Sequence, residues 1–430
     1  MINGQIESIA FGGNGVLKNQ GLVIFVPFTA PQDQVTVEIT AQKKNFAFAS
    51  LRSIDVPSPD RVEPACPYFG TCGGCQFQHL HYSAQLDIKR RFIQDALQRI
   101  AQLSFFIPPI VPAPRSYNYR CHITLRLRPQ TKGFQAGYTS WDHHHFVPIA
   151  QCPIFCPSGD PIFSYVQHLL KQMDNSGIDE ATLRLFKTDS KYLLVFHFFP
   201  KIPDNIRICE NMLSSHPDIQ AILIQSPQEQ ITFGTPICQT ESLGLKASFS
   251  PHGFVQNFPE QRNAIYQAIL SDIPDQITKI LDLYCGIGIT SLLFAQLSKT
   301  VIGIESNPES IAIAQQNAER NGITTATFYH SKVEKMAASL LTTFQPESVL
   351  CNPPREGIDA SLIHALCTQR VPYIQYLSCM PSTLARDLKL FVENGYTIEK
   401  IQGFDMFPQT THVETLVLLK SCPKTYTERD

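Results

Sequence analysis

Residues 277–306 read ITKILDLYCGIGITSLLFAQLSKTVIGIES. An apolar run, ITKIL, leads into the glycine turn of Asp282-Leu283-Tyr284-Cys285-Gly286-Ile287-Gly288. A helix-like apolar stretch follows, and then a second strand, VIGIE, ending in Glu305. Strand, glycine turn, helix, strand is the opening unit of a doubly wound, parallel α/β sheet. The first strand–helix turn of such a sheet approaches a nucleotide closely and needs glycine there. An acid closing the second strand accepts hydrogen bonds from ribose hydroxyls. The pattern is not G-x-G-x-x-G, which disfavours a dinucleotide. D-x-x-x-G-x-G with that acid is the pattern of an S-adenosylmethionine (SAM) pocket.

Working outward, αβ alternation continues to the C-terminus. Val349-Leu350-Cys351-Asn352-Pro353-Pro354-Arg355 ends another apolar strand. Asn-Pro-Pro at this place can hold an amino group under methylation, but Arg355 stands where an aromatic would stack on the base. Further on, a strand leads to Cys379, a proline turn and a helix starting near Ser382. A thiol just before a helix start gains from the positive helix end, which lowers its pKa and suits a nucleophile. His412 and Glu414 sit at a loop–strand junction in the same half, each a candidate base.

Towards the N-terminus the texture is different. Residues 1–52 read as short β-strands broken by Gly, Pro, Asn and Gln, the length of a five-stranded oligonucleotide-binding-type (OB-like) barrel. Residues 53–64 are Pro-rich and polar, a linker by composition. Residues 82–100 have helical periodicity, and 115–250 read mostly as strands with one helix near 161–173.

Between them lies Cys66-Pro-Tyr-Phe-Gly-Thr-Cys72-Gly-Gly-Cys75, a C-x5-C-x2-C spacing that supplies three thiolates. Cys152, Cys156, Cys121, His79 and His81 are candidates for a fourth ligand. No second C-x2-C pair completes a zinc ribbon, so a four-iron cluster is favoured over zinc. The run His143-His144-His145 reads as a solvated turn, since adjacent residues point in different directions.

Composition bounds the rest. The 430 residues carry a net charge of −2, which excludes a protein that coats nucleic acid through overall positive charge. RNA contacts must then be local. Candidates are Lys43 and Lys44, Lys89-Arg90-Arg91, Arg120, Arg126 and Arg128. No apolar run approaches the ~20 residues of a membrane span, and no signal peptide is visible. Thirteen cysteines, an odd number, suit a reducing cytosol. The expectation is a cytoplasmic protein without a membrane partner.

CPYFGTCGGCQFQHL, PHGFVQNF, LDLYCGIG, NPPREG, YLSCMPSTLARDL and DMFPQTTHVET, in this order, resemble the SAM-dependent RNA uracil-5-methyltransferase family over nearly the whole chain. With a barrel that looks like a TRAM domain and a cysteine cluster, the chain is similar to the bacterial branch that acts on 23S ribosomal RNA. The transfer-RNA branch typically lacks both.

The resemblance implies three domains: a TRAM-like barrel (1–55), a central α+β domain (56–255, cluster loop 66–80) and a Rossmann-like methyltransferase domain (256–430). It implies a [4Fe-4S] cluster on Cys66, Cys72, Cys75 and Cys152. It implies SAM contacts from Gln256, Tyr284, Glu305 and Asn352, with Cys379 as nucleophile and Glu414 as base. A monomer acting on 23S rRNA is expected. Three positions depart from the family's usual pattern: Asn352 in place of Asp, Met380 in place of Asn, and Ile289 where relatives are often polar. Other readings of the same residues are a transfer-RNA uracil methyltransferase, an amino-group methyltransferase working through Asn352-Pro353-Pro354, and an RNA-binding protein that transfers no methyl.

Overall fold

The computed structural model describes residues 1–422 apart from 158, 189–190, 252 and 254–255. It divides into two compact units, each assembled from separate stretches of chain. The first holds residues 1–89, 114–236 and 407–411; the second holds 90–113, 237–406 and the remainder.

The first unit opens with β1 (Ile2–Ile9), β2 (Gly15–Asn19), β3 (Leu22–Val26), β4 (Gln34–Gln42) and β5 (Phe46–Val56), closed into a barrel in the order β1-β2-β3-β5-β4. β3 and β5 pair in parallel; the other neighbours are antiparallel. Alternate residues such as Ile24, Val26, Val35, Val37 and Ala47 fill the interior, as a small closed barrel requires. The Pro-rich stretch read as a linker is held in place: β5 runs to Val56, and the Arg61 guanidinium meets the buried Asp33 carboxylate at 2.6 Å.

Helix α1 (Tyr82–Ala96) carries the expected amphipathic pattern and ends in a five-residue π segment, Leu97–Ala101. A seven-stranded sheet comprises β6 (His122–Pro129), β7 (Phe134–Thr139), β8 (Phe146–Pro148), β9 (Glu180–Lys187), β10 (Tyr192–Phe199), β11 (Ile219–Gln225) and β12 (Gln230–Gly234), in the order β12-β11-β10-β9-β6-β7-β8. Two helices interrupt these strands, not one: α2 (Ile162–Gln172) and α3 (Ile208–Ser215). The second supplies the crossover that the parallel β10–β11 pair demands. Its eight residues bury only Cys209 and Met212, too short a pattern to stand out in the sequence.

Beyond residues 90–113, the second unit continues with the hairpin β13 (Cys238–Ser242) and β14 (Leu245–Phe249) and helix α4 (Pro259–Ser271). Then follow β15 (Lys279–Leu283), α5 (Ile289–Gln296), β16 (Thr300–Glu305), α6 (Pro308–Arg320), β17 (Ala326–His330), α7 (Val333–Thr343), β18 (Ser348–Cys351), α8 (Ala360–Thr368), β19 (Tyr373–Ser378), α9 (Pro381–Glu393), β20 (Tyr396–Phe404) and β21 (Glu414–Ser421). The sheet order is β17-β16-β15-β18-β19-β21-β20. Five strands are parallel, as expected of a doubly wound sheet. The expectation of a wholly parallel sheet needs one correction: β21 inserts antiparallel between β19 and β20.

The glycine turn after β15 is built for close packing. Gly288 has φ +81°, and a Cβ there would lie 2.8 Å from the Phe328 ring and 3.0 Å from Ala314 Cβ. Gly288→Ala combines left-handed strain with a core clash, so a loss of about 2–5 kcal/mol is expected. A thermal melt checks it; an unchanged midpoint would mean the turn is not packed this way.

Candidate functional site

The site of the second unit lies along the carboxyl edge of its sheet, where doubly wound sheets place ligands. Strand register alone brings two reactive groups together. β19 and β21 pair antiparallel with Tyr373 opposite Lys420 and Ser378 opposite Thr415. Cys379 is the residue after β19 and Glu414 the first of β21, one step beyond the Ser378–Thr415 pair, and the Glu414 charge acts on the thiol.

Their environment tunes both. Glu414 is buried, and burial pushes its carboxyl up to about 7, with the Arg355 guanidinium opposing the rise. Burial also pushes the Cys379 thiol up; the Glu414 charge adds to this and Arg355 opposes it. The lowered thiol pKa anticipated from the helix start is therefore not found. α9 does begin at Pro381, two residues on, but desolvation and then the Glu414 charge are the causes that raise the thiol. Arg355 is the residue that sequence reasoning undervalued. It stands where an aromatic would stack on a base, and its charge acts on both partners of the pair.

The four candidate cofactor contacts lie in the same unit. Tyr284, at φ +63°, follows β15 and donates its hydroxyl to Glu334 Oε1 at 3.2 Å. Glu305 ends the neighbouring β16. Its Oε2 accepts from the Gly286 amide at 3.2 Å, and its Oε1 accepts from the amides of Ser306 and Asn307 at 2.6 and 2.9 Å. The acid thus ties the glycine turn to the end of the second strand. Asn352 follows β18 on the other side of β15, its amide 3.4 Å from Leu283 O. Gln256 is buried just before α4. His252, Phe254 and Val255 of the PHGFVQNF stretch lie outside the described residues. Below the turn, buried Asp282 accepts from the hydroxyls of Thr290 and Ser291, both at 2.6 Å. Burial still raises its carboxyl to about 6.

In the first unit, Cys66, Cys72, Cys75 and Cys152 line one cavity of about 70 Å³ with Tyr68, Gln78, Arg120 and Tyr138. Burial pushes the Cys75 thiol up to about 12 and that of Cys152 to about 11. The Gly74 amide donates to Cys72 Sγ at 3.4 Å, and the Tyr138 hydroxyl lies 3.9 Å from Cys152 Sγ. Among the described residues, no three His, Cys, Asp or Glu side chains are arranged to hold a single metal ion. Of the other candidate fourth ligands, the His79 ring instead meets Thr29 O at 3.1 Å and packs on Phe69.

The basic candidates separate by burial. Lys89 is fully buried and its Nζ donates to Phe407 O at 2.9 Å, so it serves packing and not RNA. Arg120 lines the cysteine cavity and stacks near Phe407. Arg126 and Arg128 lie exposed on β6, and Lys43 and Lys44 lie exposed on the barrel. The His143–His145 run is an exposed turn, His143 with φ +63°.

A family model described as tRNA (Uracil-5-)-methyltransferase matches residues 247–422, and a TRAM domain model matches residues 5–51. An RNA methyltransferase of Protochlamydia amoebophila, itself uncharacterized, is 42% identical over 422 residues, 97% of each chain. One from a Nostoc species is 34% identical over 445 residues, 97% of this chain and 96% of that one. The solved Pyrococcus abyssi tRNA (uracil-54, C5)-methyltransferase in complex with S-adenosyl-L-homocysteine superposes with a TM-score of 0.77. It is 25% identical and covers 97% of this chain and 100% of that one.

Proposed function

The chain belongs to the RNA uracil-5-methyltransferase family and is a SAM-dependent RNA methyltransferase with an N-terminal TRAM domain, and from that premise we propose that it methylates C5 of a uridine in 23S ribosomal RNA by covalent catalysis. The observation that carries the mechanism is the placement of Cys379, just past the end of β19, near Glu414, the first residue of the adjacent β21, whose charge acts on the thiol. C5 of uracil is a poor nucleophile. Attack of the Cys379 thiolate on C6 makes an enolate, and C5 becomes electron-rich enough to take the methyl group. SAM supplies that methyl as an electrophile. Glu414 then removes the C5 proton, the C5–C6 double bond re-forms, and the thiolate leaves. The target base must leave its stack to lie between these groups. Arg355 stabilises negative charge on both groups.

Gln256, Tyr284, Glu305 and Asn352 are the proposed SAM contacts. Asn352 keeps a hydrogen-bond acceptor without charge, and Ile289 and Met380 add no polar group. The nucleophile and base are present, which supports an active enzyme over a degenerate RNA binder.

The four thiols line one cavity, and that shared lining supports a [4Fe-4S] cluster held there. Cys66, Cys72, Cys75 and Cys152 would hold it, with Arg120 offsetting its charge; the cluster would supply a structural tie, and no step of methyl transfer needs it. Cys75→Ser is expected to lose iron and visible absorbance, measured on anaerobically purified protein. Iron retained at the wild-type level would remove Cys75 from the ligand set.

The cysteine set supports the 23S branch; the barrel does not separate the branches, since a transfer-RNA enzyme superposes over 97% of this chain, and transfer RNA is kept as the second reading. A cytoplasmic monomer is proposed, and no helix among the described residues is long and apolar enough to cross a membrane. Labelled methyl transfer to unmodified 23S and transfer RNA, followed by nucleoside identification, tests the proposal. Label in 5-methyluridine of 23S rRNA is expected; label in transfer RNA would replace the substrate, and label in a methylated amino group would replace the mechanism.

A further inference from the structure

The outer wall of the barrel carries a group that neither the methyl-transfer site nor the cysteine cavity uses. Residues alternate in and out along a barrel strand. On β3, Ile24 and Val26 point in, so Phe25 points out. On β5, Ala47 and Ala49 point in, so Phe46 and Phe48 point out. The parallel β3–β5 pairing sets Phe25 opposite Phe48 and Val23 opposite Phe46. The three rings close a triangle, with centroids 5.9, 5.7 and 5.6 Å apart. Phe48 remains 42% exposed.

Positive charge rims this patch. Lys43 and Lys44 form the turn that leads into Phe46, closed by the Lys43 amide on Phe46 O at 2.8 Å. Both are exposed, and neither joins an ion pair among the described residues. Lys18 of β2, paired with Val23, stands on the other side and meets Glu7 at 2.7 Å. Aromatic rings edged by ammonium groups match a planar base with a phosphate on either side.

We propose that Phe25, Phe46 and Phe48, with Lys43 and Lys44, form a stacking site for an unpaired base of the substrate RNA, in addition to the uridine that reacts. The site rests on the RNA-methylating reading for its ligand and on the barrel alone for its geometry. It gives the enzyme a second, sequence-tolerant hold on single-stranded RNA, since every base has a π-face.

Binding of a fluorescein-labelled twelve-nucleotide oligouridylate to the full-length protein tests it by anisotropy. Phe48→Ala is expected to weaken binding by about 5- to 150-fold, the range for loss of one stacked base. Phe48→Leu should weaken it comparably, because it keeps apolar area and loses the ring. Phe48→Tyr should retain wild-type affinity. Replacing both Lys43 and Lys44 by alanine should lower the slope of log affinity against log salt by about 1.4, as single strands lose roughly 0.7 per phosphate contact.

Equal affinity of Phe48→Ala and wild type overturns the proposal, as does a leucine variant that binds like wild type. A change in sedimentation of Phe48→Ala with RNA affinity unchanged overturns it too, in favour of contact between copies of the chain. Methyl transfer to 23S rRNA run in parallel separates the two claims. Transfer with an unchanged KM in Phe48→Ala sinks the stacking site alone; Phe48-dependent binding without any transfer by wild type sinks the proposed activity alone.

Discussion

Cys379→Ala is expected to lower methyl transfer by on the order of 10⁴–10⁶, the scale seen when a covalent nucleophile is removed. The reason is chemical. Without a bond at C6 there is no enolate, and C5 of uracil cannot displace the methyl group. The side chain is only part-buried, so the fold should tolerate its loss. An RNA carrying 5-fluorouridine at the target gives a sharper readout than rate. Fluorine at C5 cannot depart as a cation in the way the proton does, so wild type should stop as a protein–RNA adduct that survives a denaturing gel. Cys379→Ala should show no such band. Transfer retained by the alanine variant, with label on an exocyclic nitrogen, would move the chemistry to Asn352-Pro353-Pro354.

Glu414→Gln should separate the two halves of the reaction. Addition and methylation need no base at C5, but release does. The variant is expected to accumulate a methylated covalent adduct on unmodified RNA, with turnover reduced by about 10²–10⁴. Wild-type turnover should rise with pH through about 7, where Glu414 loses its proton, and keep rising above it as the Cys379 thiol, held up by burial, ionises. The same shift has a sign for stability. A carboxyl whose folded pKa lies above its unfolded value of 4.5 favours the protonated, folded state at low pH. That contribution is lost as pH rises from 4.5 through 7. At pH 8 the isosteric Gln avoids the cost of a buried charge, and the variant should be more stable than wild type by up to about 3 kcal/mol. Denaturant unfolding at pH 5 and pH 8 measures it; a variant less stable than wild type at pH 8 would mean that Glu414 is not held in this environment. An active-site acid that destabilises its own fold is a common expense of function.

Much of this arrangement is legible locally. The turn from Asp282 to Gly288 announces itself because a helix start packed on Phe328 excludes any side chain at Gly288. The barrel is legible because period-two burial is written into QVTVEITAQ. Other features depend on partners distant in sequence. Lys89 sits in a basic run on an amphipathic helix, yet its ammonium is sequestered by a carbonyl 318 positions away. Gln85 likewise reaches Gln409, exchanging bonds at 3.0 Å in both directions. No periodicity within helix α1 signals either contact. Arg355 looked like a missing aromatic until the carboxylate and thiol whose charges it offsets were in place.

The residue types, their order and the local turns determined which chemistry is on offer: a glycine turn with its acid, three crowded thiols with a fourth downstream, a thiol at a strand end and a glutamate at a strand start. Tertiary structure decided which of these meet. Cys379 comes near Glu414 because β21 inserts antiparallel beside β19, and that register pairs residues 37 to 47 positions apart. The pKa of that glutamate arises the same way, since desolvation belongs to the packed surroundings and not to the residue.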